Sequence, residues 1–192
     1  MKKSILALLA FVLLLGCGKK TSLTEEEITT YTEKGKAISQ ATFMALSTQL
    51  KQAMQSGGVE QAAQFCNIVA LPLTDSLSRQ QNAVIKRTSL KLRNPLNAPD
   101  SMEIVMLEMY DMMSKMRNPV LVPKILEKNA DEIQFFAPIQ IKNETCLKCH
   151  GVLGQTMSEE DYAFIKQHYP NDQATGYKMD DVRGMWSITL KR

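Results

Sequence analysis

The stretch Glu132-Ile133-Gln134-Phe135-Phe136-Ala137-Pro138-Ile139-Gln140-Ile141, followed after a short polar link by Cys146-Leu147-Lys148-Cys149-His150, decides the architecture. The first part is rich in β-branched and aromatic residues and predicts a strand, with Pro138 marking an edge or a bulge. The second part is the C-x-x-C-H spacing of c-type haem attachment. Two thiols at that spacing add across the two vinyl groups of one haem, and the next residue, His150, is then held where its imidazole reaches the iron. Half of a zinc site is one alternative, but a zinc ribbon needs a second cysteine pair, which the chain lacks. A redox dithiol of the thioredoxin type is the other, and it gives no reason for the histidine.

Outward from the motif, Ser158-Glu159-Glu160-Asp161 caps a short helix running to about Gln167, and Met185–Leu190 reads as a closing strand. Upstream, Ala83–Ser89 reads as a strand and Leu92–Pro99 as a breaker-rich loop. Asp100 caps a helix over about 101–115, which carries Met102, Met106, Met109, Met113 and Met116 mostly on one face. Core packing is the expected role of that stripe, ahead of haem ligation. Thr24-Glu25-Glu26-Glu27 is a capping box that opens a helical pattern to about Gln55, with Ile28, Tyr31, Ile38, Ala41, Met44, Leu46, Leu50 and Met54 as its apolar residues. Gly57-Gly58 ends it.

A second helix follows, with Val59, Ala62, Cys66, Val69, Ala70 and Leu73 at three- and four-residue steps on its inward face. Cys66 has no disulfide partner left over. It is either a small buried hydrophobe or an iron ligand opposite His150, and periodicity by itself favours the first. His168, the other histidine, sits in the polar stretch Lys166-Gln167-His168-Tyr169 and is the rival His ligand.

The N-terminus is a targeting signal. Met1-Lys2-Lys3, an apolar run over residues 5–15 and Gly16-Cys17 form a positive region, a short hydrophobic region and a cleavage site. The run is shorter than the roughly 20 residues a spanning helix needs. Leu14-Leu15-Gly16-Cys17 resembles a bacterial lipobox, which implies acylation of Cys17 and cleavage just before it. The domain layout is therefore a lipoprotein signal peptide over 1–16, a lipidated tether over 17–23 and one domain over 24–192. Losing Lys2 and Lys3 brings the net charge of +3 close to neutral, and no dense basic block is present, so a nucleic-acid partner is excluded. A hydrophobic content of 44% excludes wholesale disorder.

Four segments in order are similar to the single-haem PAS-like family, exported c-type haem proteins related to a cyanobacterial haem sensor protein. They are Ala62–Ala70 around Cys66, Arg87–Pro99, Phe136-Ala137-Pro138 with Cys146–Gly151, and Tyr169 through Gly176-Tyr177 to Arg183-Gly184. The resemblance implies an α+β fold, with long N-terminal helices and a PAS-like antiparallel sheet cupping one covalently attached haem c. It also implies iron ligation by His150 and the Cys66 thiolate. Asp180-Asp181 departs from the family's Gly-Asp, which puts the backbone of that turn in question.

His/thiolate ligation favours ferric iron and a low potential. Arg87 and Arg93 flank the family string and are the candidates to pair the haem propionates. Two functions are expected of such a module. One is sensing or binding, with redox change or a diatomic gas displacing an axial ligand. The other is one-electron carriage in the cell envelope. No acid–base residue for catalysis stands out, so an enzyme is not expected. No kinase, cyclase or methyl-acceptor segment follows Arg192, so any signal is expected to pass to a separate envelope redox or signalling partner, with the membrane reached through the lipid anchor.

Overall fold

The computed structural model describes residues 23–192; the signal segment, Cys17 and the tether as far as Ser22 lie outside them. Helix α1 spans Glu25–Ile68 and starts at the capping box: the Thr24 side chain accepts from the Glu27 backbone N–H, and the Glu27 carboxylate accepts from that of Thr24. The predicted break falls inside it. Gly57 and Gly58 leave helical geometry, Gly58 with φ of 63°, a left-handed value open to glycine. The helical run resumes and stops at Val69, and α2 covers Ala70–Gln80. Pro72 explains the interruption, because its ring clashes with the carbonyl four residues back and it has no N–H to continue the ladder. As a result Val69 does not share the inward face expected of it and is 38% exposed, whereas Val59, Ala62, Ala63 and Ala70 are buried.

Strand β1, Ala83–Thr88, precedes a loop holding one 3₁₀ turn at Pro95–Asn97. Helix α3, Ser101–Ser114, begins at a second capping box, Asp100 with Glu103. Strand β2 covers Lys124–Asn129, β3 Glu132–Gln140, α4 Glu144–His150, α5 Glu159–His168 and β4 Val182–Lys191. The four strands form one antiparallel sheet in the order β1-β4-β3-β2. The α+β class is as expected. Strand β2 was not anticipated, since Lys-Ile-Leu-Glu-Lys-Asn carries two apolar residues and becomes a strand by pairing with β3. Pro138 lies in an inner strand after all, but β2 has already run out there: its last pair is Lys124 with Phe136, so the missing N–H leaves no gap in the ladder.

The period of two in β3 and β4 splits the core. On one face Ile133, Phe135, Ala137, Trp186, Ile188 and Leu190 pack with Ile85 against Ile38 and Leu46 of α1 and Ala70 of α2. On the other, Phe136 and Met185 pack with Met106, Leu107 and Tyr110 of α3. Each such side chain contributes about 1.5–3 kcal/mol by leaving water. The methionine stripe of α3 is only half used. Met106 is buried and Met109 packs beside it, but Met102 and Met116 are exposed, because the sheet covers a narrower arc than the stripe. In α1, Ala41 and Met44 likewise face outward, and Gly35, Ile38, Thr42 and Leu46 form the inner line.

The turn before β4 resolves the departure at Asp180. Asp180 adopts φ of 69°, the backbone that a glycine takes most easily. It is held there by its N–H to the Ile141 carbonyl, 2.8 Å, and by Lys142 Nζ on its carboxylate, 2.7 Å. Asp180 thus holds a left-handed turn without a glycine.

Candidate functional site

Helix α4 holds both motif cysteines and His150 in two turns. The Asn143 side chain caps it by accepting from the Cys146 N–H, 3.2 Å, and buried Leu147 anchors it against Ile141 and Tyr177. Gly151 closes the helix. A Cβ there would lie 2.5 Å from the Leu147 carbonyl and 2.0 Å from Thr156 Oγ1, so the close approach requires glycine. A returning segment then pins the motif from outside: Gly176 N–H donates to Gly151 O at 2.8 Å and Tyr177 N–H to His150 O at 3.0 Å.

The His150 ring is oriented by its own chain. Nδ1 lies 2.8 Å from the Ala174 carbonyl and 3.2 Å from Arg183 Nε; in the tautomer that leaves Nε2 as the lone-pair nitrogen it donates to the carbonyl and accepts nothing from Arg183. Burial, with the charges of Arg183 and Arg93, holds the His150 pKa well below the usual histidine range, so the imidazole is neutral. Tyr177 meets the ring edge-on, with centroids 6.3 Å apart.

Ala174 is itself fixed by an ion pair. Arg93 Nε and Nη2 each reach one oxygen of Asp172 at 3.0 Å, and the Asp172 side chain has no exposed surface. Asp172 also accepts from the Ala174 N–H at 3.0 Å, while Arg93 Nη2 donates to the carbonyls of Cys149 and Ala174. Arg93 thus ties the haem-motif helix to the 172–174 turn.

A cavity of about 250 Å³ opens beside this assembly, between α1, α2, β1 and β4. Cys66, Arg87, Arg93 and His150 all line it, so four of the residues singled out in the sequence come to one place. Leu46, Leu50, Phe65 and Trp186 supply apolar wall, and Arg183 and Tyr169 join from a segment that carries the family resemblance but in which no site residue was singled out. Burial pushes the Cys66 thiol above its ordinary pKa, against the opposing charges of Arg87, Arg93 and Arg183. Cys149 is pushed up to about 11, chiefly by burial. Cys66, Cys146 and Cys149 are all free thiols. His168 does not line this cavity; its Nδ1 is 3.4 Å from the Asn67 amide. None of the α3 methionines lines it either.

The donors suit a porphyrin iron better than a bare metal ion. Among the described residues no three His, Cys, Asp or Glu side chains converge to hold a metal by themselves. What meets in the cavity is one neutral imidazole, the Cys66 thiol from α1, apolar wall and guanidinium groups; Cys146 and Cys149 ride on the same helix as His150 but do not line it, Cys149 packing beside Val59 and Ala63 and Cys146 beside Ile141 and Leu147. That combination fits a flat, mostly apolar macrocycle with two carboxylates.

The comparisons with known proteins agree with the fold. A comparison with curated proteins finds no match. Among solved structures, the crystal structure of the cyanobacterial haem protein Tll0287 shares the fold, with a TM-score of 0.56 and 22% sequence identity. The match covers 88% of this chain and 98% of that one. The model of the Tll0287-like family matches residues 22–191, so this chain belongs to the Tll0287-like family.

Proposed function

We propose that this chain is an exported, lipid-anchored c-type haem protein that works as a redox- or small-ligand-sensing module rather than as an enzyme. The observation that carries the reading is His150. Its Nδ1 is tied to Ala174 and its ring is neutral at the edge of a cavity shared with Cys66, and it directly follows two free thiols at haem-attachment spacing. The solved structure sharing its fold is itself described as a haem protein. Haem in the cleft would supply a one-electron couple and an iron able to bind side-chain donors.

The residues divide the work. Cys146 and Cys149 hold the group covalently, and His150 Nε2 gives one iron ligand. Cys66 gives the other as a thiolate, its charge balanced by ferric iron and by the guanidinium groups nearby. Arg87 and Arg93 stand at the same cleft, where the propionates are expected. Cys66 is the residue whose side chain would have to move for the bound group to take an external ligand such as a diatomic gas. Helices over an antiparallel sheet are read as the PAS-like cup, and a separate envelope protein receives the signal. Attachment is assigned to Cys17 on the lipobox pattern Leu14-Leu15-Gly16-Cys17; among the described residues no helix is long and apolar enough to cross a membrane.

One observation favours the second reading, a one-electron carrier. Phe43, Leu90 and Leu96, at or next to the cleft lining, are 53%, 44% and 78% exposed, an apolar rim on which a redox partner could dock.

The test is expression with a c-type maturation system. The denatured chain should keep its haem stain and give a bis-thioether pyridine haemochrome; haem removed by acid–acetone refutes the attachment. Cys66→Ala should retain covalent haem and lose the thiolate signature in ferric electron paramagnetic resonance. Spectra identical to wild type would make Cys66 a core residue, and plain electron transfer would then lead. Gas titration with potentiometry separates sensor from carrier.

A further inference from the structure

Three guanidinium groups line the cleft, Arg87, Arg93 and Arg183, and among the described residues only Arg93 has a carboxylate at ion-pair distance. Asp172 gives both of its oxygens to Arg93. Arg183 meets neutral groups: its Nη1 donates to Ser89 Oγ at 2.7 Å and to the Lys91 carbonyl at 3.3 Å, its Nε lies 3.2 Å from His150 Nδ1, and its guanidinium lies 5.5 Å from the Tyr177 ring centroid. The Arg87 guanidinium makes no hydrogen bond or ion pair among the described residues, although the residue sits on the cavity wall beside Cys66.

A guanidinium stays cationic at neutral pH even when it is drawn into a cleft. Withdrawn cations without a counter-charge are costly, and a fold keeps them where an anion arrives. Arg93 already has its anion and spends its remaining contacts on the Cys149 and Ala174 carbonyls. Two unbalanced cations in one cleft match a ligand with two carboxylates, and haem brings two propionates.

We propose that Arg87 and Arg183 form the carboxylate-binding end of the cleft and take the haem propionates, while Arg93 with Asp172 is a positioning pair that holds His150 through Ala174. The assignment rests on the haem reading above. It moves one propionate contact from Arg93 to Arg183, a residue 90 positions further along the chain.

The experiment uses the holoprotein, with pyridine haemochrome as the loading control and resonance Raman propionate bending modes and redox-difference infrared carboxylate bands as readouts. Arg87→Gln and Arg183→Gln should each keep thioether-bound haem and shift a propionate mode and a carboxylate band. Arg183→Lys should recover much of the wild-type pattern, and Arg183→Met, which keeps the stem and drops the charge, serves in place of the glutamine variant if that fails to fold. Arg93→Gln should weaken folding and alter the iron–imidazole stretching mode while leaving the propionate modes in place. Wild-type propionate signatures in both Arg87→Gln and Arg183→Gln, with covalent haem intact, overturn the proposal and leave the haem reading standing. A propionate shift confined to Arg93→Gln overturns it in favour of Arg93. A wild-type protein without covalent haem overturns the haem reading and this assignment with it.

Discussion

Asp172 is the residue on which most of the site's order depends. Its enclosed carboxylate serves Arg93 twice and the Ala174 N–H once, and Ala174 in turn orients His150. Asp172→Asn removes the charge but not the shape, so Arg93 would be left as a largely buried cation. Breaking a buried pair from one side costs about 3–5 kcal/mol, and denaturant unfolding should show a loss of that order. A loss below about 1 kcal/mol would mean that the pair behaves like a surface ion pair. In the sequence Asp172 is one polar residue in the turn Tyr169-Pro170-Asn171-Asp172, and only its side chain accepting from a backbone N–H two residues on marks it as a turn builder. Its partner stands 79 positions away. Arg183 had a faint signal, since it lies in a segment that carries the family resemblance, but a lone arginine before a strand gives no hint of which cavity it borders.

At the scale of elements, α1 lies close enough to β3 that a glycine is needed between them. A Cβ at Gly35 would fall 2.2 Å from the Phe135 ring, and Phe135 is fully buried. Gly35→Ala therefore cannot be absorbed by a flexible side-chain end; the helix or the ring must shift, at about 1–3 kcal/mol. A thermal melt checks it: the expected change is a clear drop, although alanine is the better helix former. The Thr24 capping box, the Asp100 cap, the Gly57-Gly58 break and three of the four strands were readable because each is a local pattern. Strand β2 and the interruption at Val69 were not. The first depends on a neighbouring strand, and the second on where a proline meets a helix already under way.

Across the whole molecule, Arg192 fastens the end of the sheet to the start of α1. It bridges Glu27 at 2.9 Å and Glu127 at 3.2 Å. The Arg192 guanidinium, with the Thr24 backbone N–H, lowers the Glu27 carboxyl from 4.5 to about 2. Because the folded value is the lower one, the contribution to stability is complete above the unfolded value and fades as pH falls through the folded one. Wild type should lose stability between about pH 4.5 and 2 more steeply than Arg192→Gln; parallel curves from chemical unfolding across that window would rule the linkage out. At the same scale Cys17→Ser should lose acyl mass and move from membrane to soluble envelope fractions. Unchanged partition, with no acyl mass on the wild type, would remove the anchor.

The sequence by itself determined the chemistry on offer and most of the elements. Cys146, Cys149 and His150 are adjacent in the chain, so one short helix carries them whatever surrounds it, and the two-residue period of β3 and β4 sorts their side chains to opposite faces. What only the tertiary structure decided is which distant groups meet there. Cys66 comes from α1, Arg87 from β1, Arg93 from the loop after it and Arg183 from β4, and the cavity they share exists because α1 and α2 cross one face of the sheet. Which arginine keeps a carboxylate and which is left without one is likewise a matter of three-dimensional distance. Spacing along a chain carries no record of it, because the charges that compensate a buried group are free to come from any segment that the fold brings within a few ångströms.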